Sequence, residues 1–156
     1  MPHGISVDLE GNVWVTDVAL HQVFRFIHGS WDSPGLVLGE AFVPGNDLNH
    51  FCMPTDVAIS SSGTVYISDG YCNSRILVLS ASGVVEDVIF ASDELHVPHS
   101  LTLLEDSNLL CVADRENKRI LCYKVDVYDT EFGQLAFKVE HSRFGQIYAI
   151  DHIGKL

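Results

Sequence analysis

Met53-Pro54-Thr55-Asp56-Val57, followed by Tyr66-Ile67-Ser68-Asp69, decides the fold, because this pattern occurs three times in the chain. The first copy runs from Met1-Pro2-His3-Gly4-Ile5 to Trp14-Val15-Thr16-Asp17, and the third from Val97-Pro98-His99-Ser100-Leu101 to Cys111-Val112-Ala113-Asp114. In each copy a further apolar strand follows, at Val23-Phe24, Ile76-Leu77 and Ile120-Leu121. A repeat of about 45 residues built from short strands is typical of a β-propeller blade and not of a helical solenoid.

Hydrophobic alternation and Gly-containing turns divide each copy into hairpins. We predict strands at 4–8, 12–17 and 22–27, then at 56–60, 64–69, 75–80 and 84–91, and then at 100–104, 109–114, 119–125 and 134–140. Residues 144–150 resemble the inner strand of a further blade. The expected fold is an all-β propeller with three blades and the start of a fourth, about half of a six-bladed ring. A small closed β-domain of 156 residues is the alternative.

We expect one partial propeller domain over residues 1–156, with blades at about 1–50, 51–95 and 96–142 and the next blade beginning at 143. The formal charge of −12 argues against nucleic acid and anionic membranes as partners. No apolar run reaches the ~18 residues of a membrane span. Met1 leads directly into the first repeat, so no signal peptide is expected in this chain.

The four cysteines fall into two local pairs. Cys111 and Cys122 lie on neighbouring predicted strands and suit a cross-strand disulfide, while Cys52 and Cys72 would tie the two loops of one blade together. We expect Cα separations of ~4.4–6.8 Å. An even count with local pairing favours an oxidising compartment, and four buried thiols in a reducing one are the alternative.

Two histidines occupy equivalent repeat positions, His3 and His99, and Thr55 takes that position in the second copy. A radial repeat directs equivalent positions to one axis, so we expect the two imidazoles to lie within ~10 Å of each other at one end of the blades. Imidazole nitrogen is a preferred zinc ligand, and catalytic zinc sites have three protein ligands and an open position. A third ligand is expected two blades further on, beyond Leu156, with His50 and His96 as substitutes to test.

Tyr71 and Arg115 lie in the loops that leave the second strand of their blades, and should point to the same end as the histidines. A tyrosine beside an arginine and a metal loses its proton more readily and is a candidate general base. The alternative for Tyr71 is packing on its own blade. The alternative for Arg115 is an ion pair with Asp114 or Glu116, which would be worth little.

Several longer stretches closely resemble the peptidyl-α-hydroxyglycine α-amidating lyases, the lyase half of peptidylglycine α-amidating monooxygenases. These stretches are Met1-Pro2-His3-Gly4, residues 14–24, Asn49-His50-Phe51-Cys52, residues 68–76, Val97-Pro98-His99-Ser100-Leu101 and residues 111–117. The resemblance covers nearly the whole chain. It implies a six-bladed propeller of NHL-type repeats with zinc on the axis and a structural calcium nearby.

The resemblance also assigns roles to residues. It implies zinc ligation by His3 and His99, catalysis by Tyr71 and Arg115, and calcium binding by the backbone carbonyl of Ile5. The family's disulfides match Cys52–Cys72 and Cys111–Cys122. Its third zinc histidine, a second arginine and the calcium carboxylate have no counterpart in this chain.

The implied reaction cleaves a peptide that ends in α-hydroxyglycine into a peptide amide and glyoxylate, with zinc as Lewis acid. Implied partners are such peptides and a linked or separate peptidylglycine monooxygenase, as in neuropeptide processing in the secretory pathway or outside the cell. Little turnover is expected from this chain alone. A catalytically inactive NHL propeller fragment that acts as a binding or regulatory module is the alternative. A calcium-dependent hydrolase such as a lactonase is a third alternative, but it would need acidic metal ligands on the axis, where this sequence has histidines.

Overall fold

A computed structural model describes residues 1–89, 95–126 and 128–153, which form three four-stranded antiparallel sheets of consecutive strands. The first sheet contains β1 (Pro2–Val7), β2 (Val13–Asp17), β3 (Gln22–Phe26) and β4 (Leu36–Leu38). The second contains β5 (Pro54–Ile59), β6 (Val65–Asp69), β7 (Arg75–Leu79) and β8 (Val85–Ile89). The third contains β9 (Pro98–Leu104), β10 (Leu109–Asp114), β11 (Arg119–Lys124) and β12 (Leu135–Glu140), with a short 3-10 helix, Glu105–Ser107, between β9 and β10.

The second sheet lies between the other two, so its central strands β6 and β7 are buried along their whole length. Successive side chains of a strand point to opposite faces. Val65 and Ile67 therefore join the apolar cluster shared with the first sheet, which includes Trp14. Tyr66 points the other way, into the cluster shared with the third sheet, which includes Leu110. This packing of sheet on sheet is the core of a propeller.

The innermost strands β1, β5 and β9 pack side by side and define the axis. Each pairs its proline with the aspartate at the end of the next strand: Pro2 with Asp17, Pro54 with Asp69, and Pro98 with Asp114. A bulge follows each proline, at His3, Thr55 and His99. Bulges redirect a side chain out of the regular pleat, so the repeat places an irregular backbone at the positions where the sequence puts its candidate ligands.

The described strands differ from the predicted ones in few places. The short strand β4 was not predicted. The strand predicted at 84–91 is described over Val85–Ile89, and residues 90–91 lie outside the described part. Residues 144–150, which resemble an inner strand in sequence, form no ladder with another described strand. They lie beside β9 and are joined to it by a side-chain hydrogen bond, since the Ile150 amide donates to Ser100 Oγ at 3.3 Å.

Both cysteine pairs form disulfides in the structure. The Cα atoms of Cys52 and Cys72 are 5.5 Å apart, within the expected range. Those of Cys111 and Cys122 are 4.0 Å apart, slightly below it. These two residues are directly opposite each other on β10 and β11, and opposed residues of an antiparallel pair can approach more closely than typical disulfide partners.

None of the described helical residues makes a segment long and apolar enough to cross a membrane.

Candidate active site

A phenol oxygen lies between two imidazoles at the end of the inner strands. Tyr71 Oη is 3.1 Å from His3 Nε2 and 3.1 Å from His99 Nε2. The ring centroids of His3 and His99 are 4.8 Å apart. The structure thus brings together the two histidines and the tyrosine that the sequence singled out, although they come from three different blades.

Backbone carbonyls fix the tautomer of both imidazoles. His3 Nδ1 is 2.7 Å from the carbonyl oxygen of Thr55, and His99 Nδ1 is 2.7 Å from that of Tyr148. A carbonyl only accepts, so Nδ1 carries the proton in each neutral ring and Nε2 presents a lone pair. Both lone pairs face the Tyr71 hydroxyl, and either can accept its proton or bind a metal.

Burial lowers the pKa of His99 below its ordinary value, and the nearby positive charges of His3 and Arg115 act in the same direction. The hydrogen bond to the Tyr148 carbonyl opposes this shift but does not cancel it. His99 is therefore neutral at physiological pH, which is the form that binds a metal ion.

Arg115 covers the phenol. Its guanidinium carbon lies 5.1 Å from the centre of the Tyr71 ring, within the range of a cation–π contact. Its Nη1 is 3.5 Å from Tyr71 Oη, which is long for a hydrogen bond. The ion pair considered as an alternative is also present, since Arg115 Nη2 is 2.8 Å from Glu116 Oε1. Both features therefore coexist in one side chain.

The repeated aspartate of each blade holds the loop that carries the site residue. Asp69 Oδ1 accepts from the Cys52 amide at 2.7 Å, and its Oδ2 accepts from Asn73 and Arg75. The Cys52–Cys72 disulfide joins the same two loops next to Tyr71. Gly70 is required here, because an added Cβ would lie 2.0 Å from the Pro98 carbonyl oxygen.

The third blade repeats this arrangement around Arg115. Asp114 Oδ1 accepts from the His96 amide at 2.7 Å, and its Oδ2 accepts from Asn117 and Arg119. One buried carboxylate thus joins the segment before the inner strand to the loop after the second strand. The equivalent residues Asp69 and Asp114 set the loops of Tyr71 and Arg115 at the same end of their blades.

The remaining candidates lie elsewhere. His50 contacts Asp47 and Glu40 at the surface. His96 contributes its backbone amide, which donates to Asp114 Oδ1. The side chain of Ile5 is exposed on β1. Among the described residues, no group of three or more His, Cys, Asp and Glu side chains is arranged for a metal ion. The side-chain donors that this site offers to a metal ion are two imidazole nitrogens, with the phenol oxygen beside them.

Sequence reasoning missed Tyr148. Its ring centre lies 5.4 Å from the Arg115 guanidinium carbon, and its carbonyl serves His99 as that of Thr55 serves His3. Aligning Tyr148-Ala149-Ile150 with Thr55-Asp56-Val57 would have given the signal.

Comparisons with known proteins agree with the geometry. Residues 51–79 and 95–123 match the NHL repeat. The mouse (Mus musculus) peptidyl-glycine alpha-amidating monooxygenase is 50% identical, over 98% of this chain and 16% of the mouse protein. The Drosophila melanogaster peptidyl-alpha-hydroxyglycine alpha-amidating lyase 2 is 42% identical, over 100% of this chain and 39% of the fly protein.

The structure of a virginiamycin B lyase from Staphylococcus aureus superposes with a TM-score of 0.63 over 92% of this chain and 42% of that chain, at 18% identity, which shows a shared fold. The chain spans well under half the length of these relatives. With its NHL repeats and its identity over nearly all of its residues, the chain belongs to the NHL-type β-propellers and to the family of the peptidyl-α-hydroxyglycine α-amidating lyases.

Proposed function

We propose that this chain carries the reaction centre of a lyase that releases a peptide amide and glyoxylate from a peptide ending in α-hydroxyglycine. The observation that carries this proposal is the Tyr71 hydroxyl, held 3.1 Å from each of two imidazole nitrogens and covered by Arg115. A proton acceptor, a metal-binding pair and a fixed positive charge are the groups that this cleavage needs. The names of the mouse and fly relatives support the same reaction.

The chemistry requires one proton to leave oxygen while a C–N bond breaks. Tyr71, as phenolate, accepts the hydroxyl proton of the substrate, and the oxygen becomes the aldehyde oxygen of glyoxylate. The electrons of the C–N bond leave with nitrogen, which takes up a proton and becomes the peptide amide. Arg115 stabilises the negative charge of the phenolate or of the substrate carboxylate. Zinc, when held by His3 and His99, supplies a Lewis acid for the substrate oxygen.

The proposals for calcium, compartment, partner and substrate rest on the same family resemblance. We propose that the Ile5 carbonyl contributes to a structural calcium site, and that the protein matures in the secretory pathway or outside the cell, where its two disulfides are stable. A linked or separate peptidylglycine monooxygenase would supply the hydroxylated peptide, in line with the name of the mouse relative. Peptide signalling molecules are the proposed substrates.

The test uses a chimera, because the chain spans 39% of the fly lyase. Residues 1–156 replace the matching segment of that protein, and glyoxylate release is measured on a peptide ending in α-hydroxyglycine. Removing a general base costs about 10²–10⁴-fold in rate, so Tyr71→Phe is expected to lower kcat by that amount. Tyr128→Phe, at a tyrosine that is 96% exposed, is the matched control. Unchanged turnover in Tyr71→Phe, or a folded chimera without turnover, would refute the proposal.

A further inference from the structure

A continuous chain of hydrogen bonds runs from Tyr148 to Arg115. Tyr148 Oη donates to Gln146 Oε1 at 2.7 Å. Gln146 Nε2 donates to both carboxylate oxygens of Glu116, at 3.0 and 2.8 Å. Arg115 Nε donates to Glu116 Oε1 at 2.9 Å, and its Nη2 lies 2.8 Å from the same oxygen.

The contacts leave Gln146 one consistent orientation. A carboxylate accepts only, so the amide nitrogen of Gln146 faces Glu116 and the amide oxygen faces the Tyr148 hydroxyl. The hydrogen bond from Gln146 holds the pKa of Glu116 below its usual range against the opposing effect of burial, and Arg115 adds to the lowering. Glu116 therefore accepts from both side chains as a carboxylate.

An exposed Arg–Glu pair alone contributes little, because two long side chains must be held in one geometry. Here three side chains contact the guanidinium. Glu116 binds its Nε and Nη2, and the guanidinium carbon lies 5.1 Å from the centre of the Tyr71 ring and 5.4 Å from that of the Tyr148 ring. Nη1 remains directed at Tyr71 Oη.

We propose that Glu116 and Gln146 are positioning residues that hold Arg115 over Tyr71. Tyr148 belongs to the same group, because its ring contacts Arg115 and its carbonyl orients His99. Glu116, Gln146 and Tyr148 are together called the latch. The kinetic consequence rests on the proposed lyase function, but the latch itself does not. It favours phenolate stabilisation as the role of Arg115, since a guanidinium fixed in this way already faces the phenol before substrate arrives.

The first experiment needs no activity. The side-chain Nε–H signal of Arg115 is followed by NMR in the full chain and assigned by its loss in Arg115→Lys. Gln146→Met removes both Gln146 hydrogen bonds at similar length and is expected to speed solvent exchange of that proton about tenfold, the usual cost of losing a hydrogen bond to a charged group. Gln146→Lys restores a donor to Glu116 and should recover most of the protection. Gln134→Met, at an exposed glutamine before β12, is the control.

The second experiment measures glyoxylate release in the chimera. We expect Gln146→Met to lower kcat about tenfold with KM nearly unchanged, and Gln146→Lys to recover it. The double variant Glu116→Gln, Gln146→Met should lose no more than Glu116→Gln alone, because both act through one contact. Unchanged exchange at Arg115, or faster exchange with unchanged kcat, would refute the positioning role. A protected Arg115 signal in a chimera without turnover would count against the lyase function and leave the latch supported.

Discussion

At the scale of single residues, Asp56 is a half-buried carboxylate next to the bulge of β5. Its Oδ2 accepts from the Leu101 amide at 2.8 Å, which joins the second blade to the third. Burial raises the pKa of Asp56 above its ordinary value of 3.8, more than its hydrogen bonds lower it. Asp56 thus contributes to cohesion between blades and to the response of the fold to pH.

The raised pKa predicts how stability changes with pH. The folded state binds the Asp56 proton more tightly than the unfolded state, so this residue lowers the free energy of unfolding as pH rises above 3.8 through the folded pKa. We expect the difference in free energy of unfolding between wild type and Asp56→Asn, measured in urea, to fall as the pH rises above the ordinary pKa of an aspartate. Asp87→Asn is the matched control, because Asp87 also accepts from the following amide but is exposed. A difference that grows with pH would contradict this prediction.

At the scale of structural elements, the loops after β6 and β10 carry Tyr71 and Arg115, and a disulfide restrains the first of them. The Cys52–Cys72 bond closes a separation of 20 residues and the Cys111–Cys122 bond a separation of 11. Only the first borders the candidate active site. The two bonds therefore allow stability and site geometry to be separated.

We expect each double Cys→Ser variant to lose about 3 kcal/mol of unfolding free energy, since loops of this size cost about that much to close. Replacing Cys52 and Cys72 should in addition lower kcat of the chimera, because Tyr71 is then held by Asp69 alone. Replacing Cys111 and Cys122 should leave kcat nearly unchanged at temperatures where the chimera is folded. Equal kcat losses in both variants would show that stability, and not the loop, controls the rate.

The elements also show what the sequence could predict. Turn glycines and alternation placed eleven of the strands, because those signals are local. Residues 144–150 have the same apolar pattern as an inner strand but form no ladder among the described residues, since a strand depends on its partner. Tyr148, Gln146 and Glu116 act through contacts between distant segments, which a single sequence does not display. His3 and His99 were predictable because the repeat itself relates them.

At the scale of the whole molecule, the second blade determines the distance between the two histidines. His3 and His99 are the second residues of β1 and β9. The carbonyl of Thr55 in β5 accepts from His3 Nδ1, and Thr55 Oγ1 donates to the Pro98 carbonyl at 2.7 Å. The two imidazoles can converge only when all three sheets are packed. A metal ion bound by both would therefore stabilise the packed blades over the unfolded chain.

This coupling gives a prediction for the proposed zinc. At a free zinc concentration about 100 times the dissociation constant, binding adds about 2.7 kcal/mol, which corresponds to a rise in Tm of about 5–10 °C for a chain of this size. The rise is expected in wild type and is expected to vanish in His3→Ala and in His99→Ala, because either change leaves one imidazole. The rise should also weaken as the pH falls, because protonation of histidine competes with the metal. His28→Ala serves as the control, since the His28 ring makes an edge-to-face contact with Trp31 and none with the described residues of the site. An equal rise in all variants would refute zinc binding by this pair.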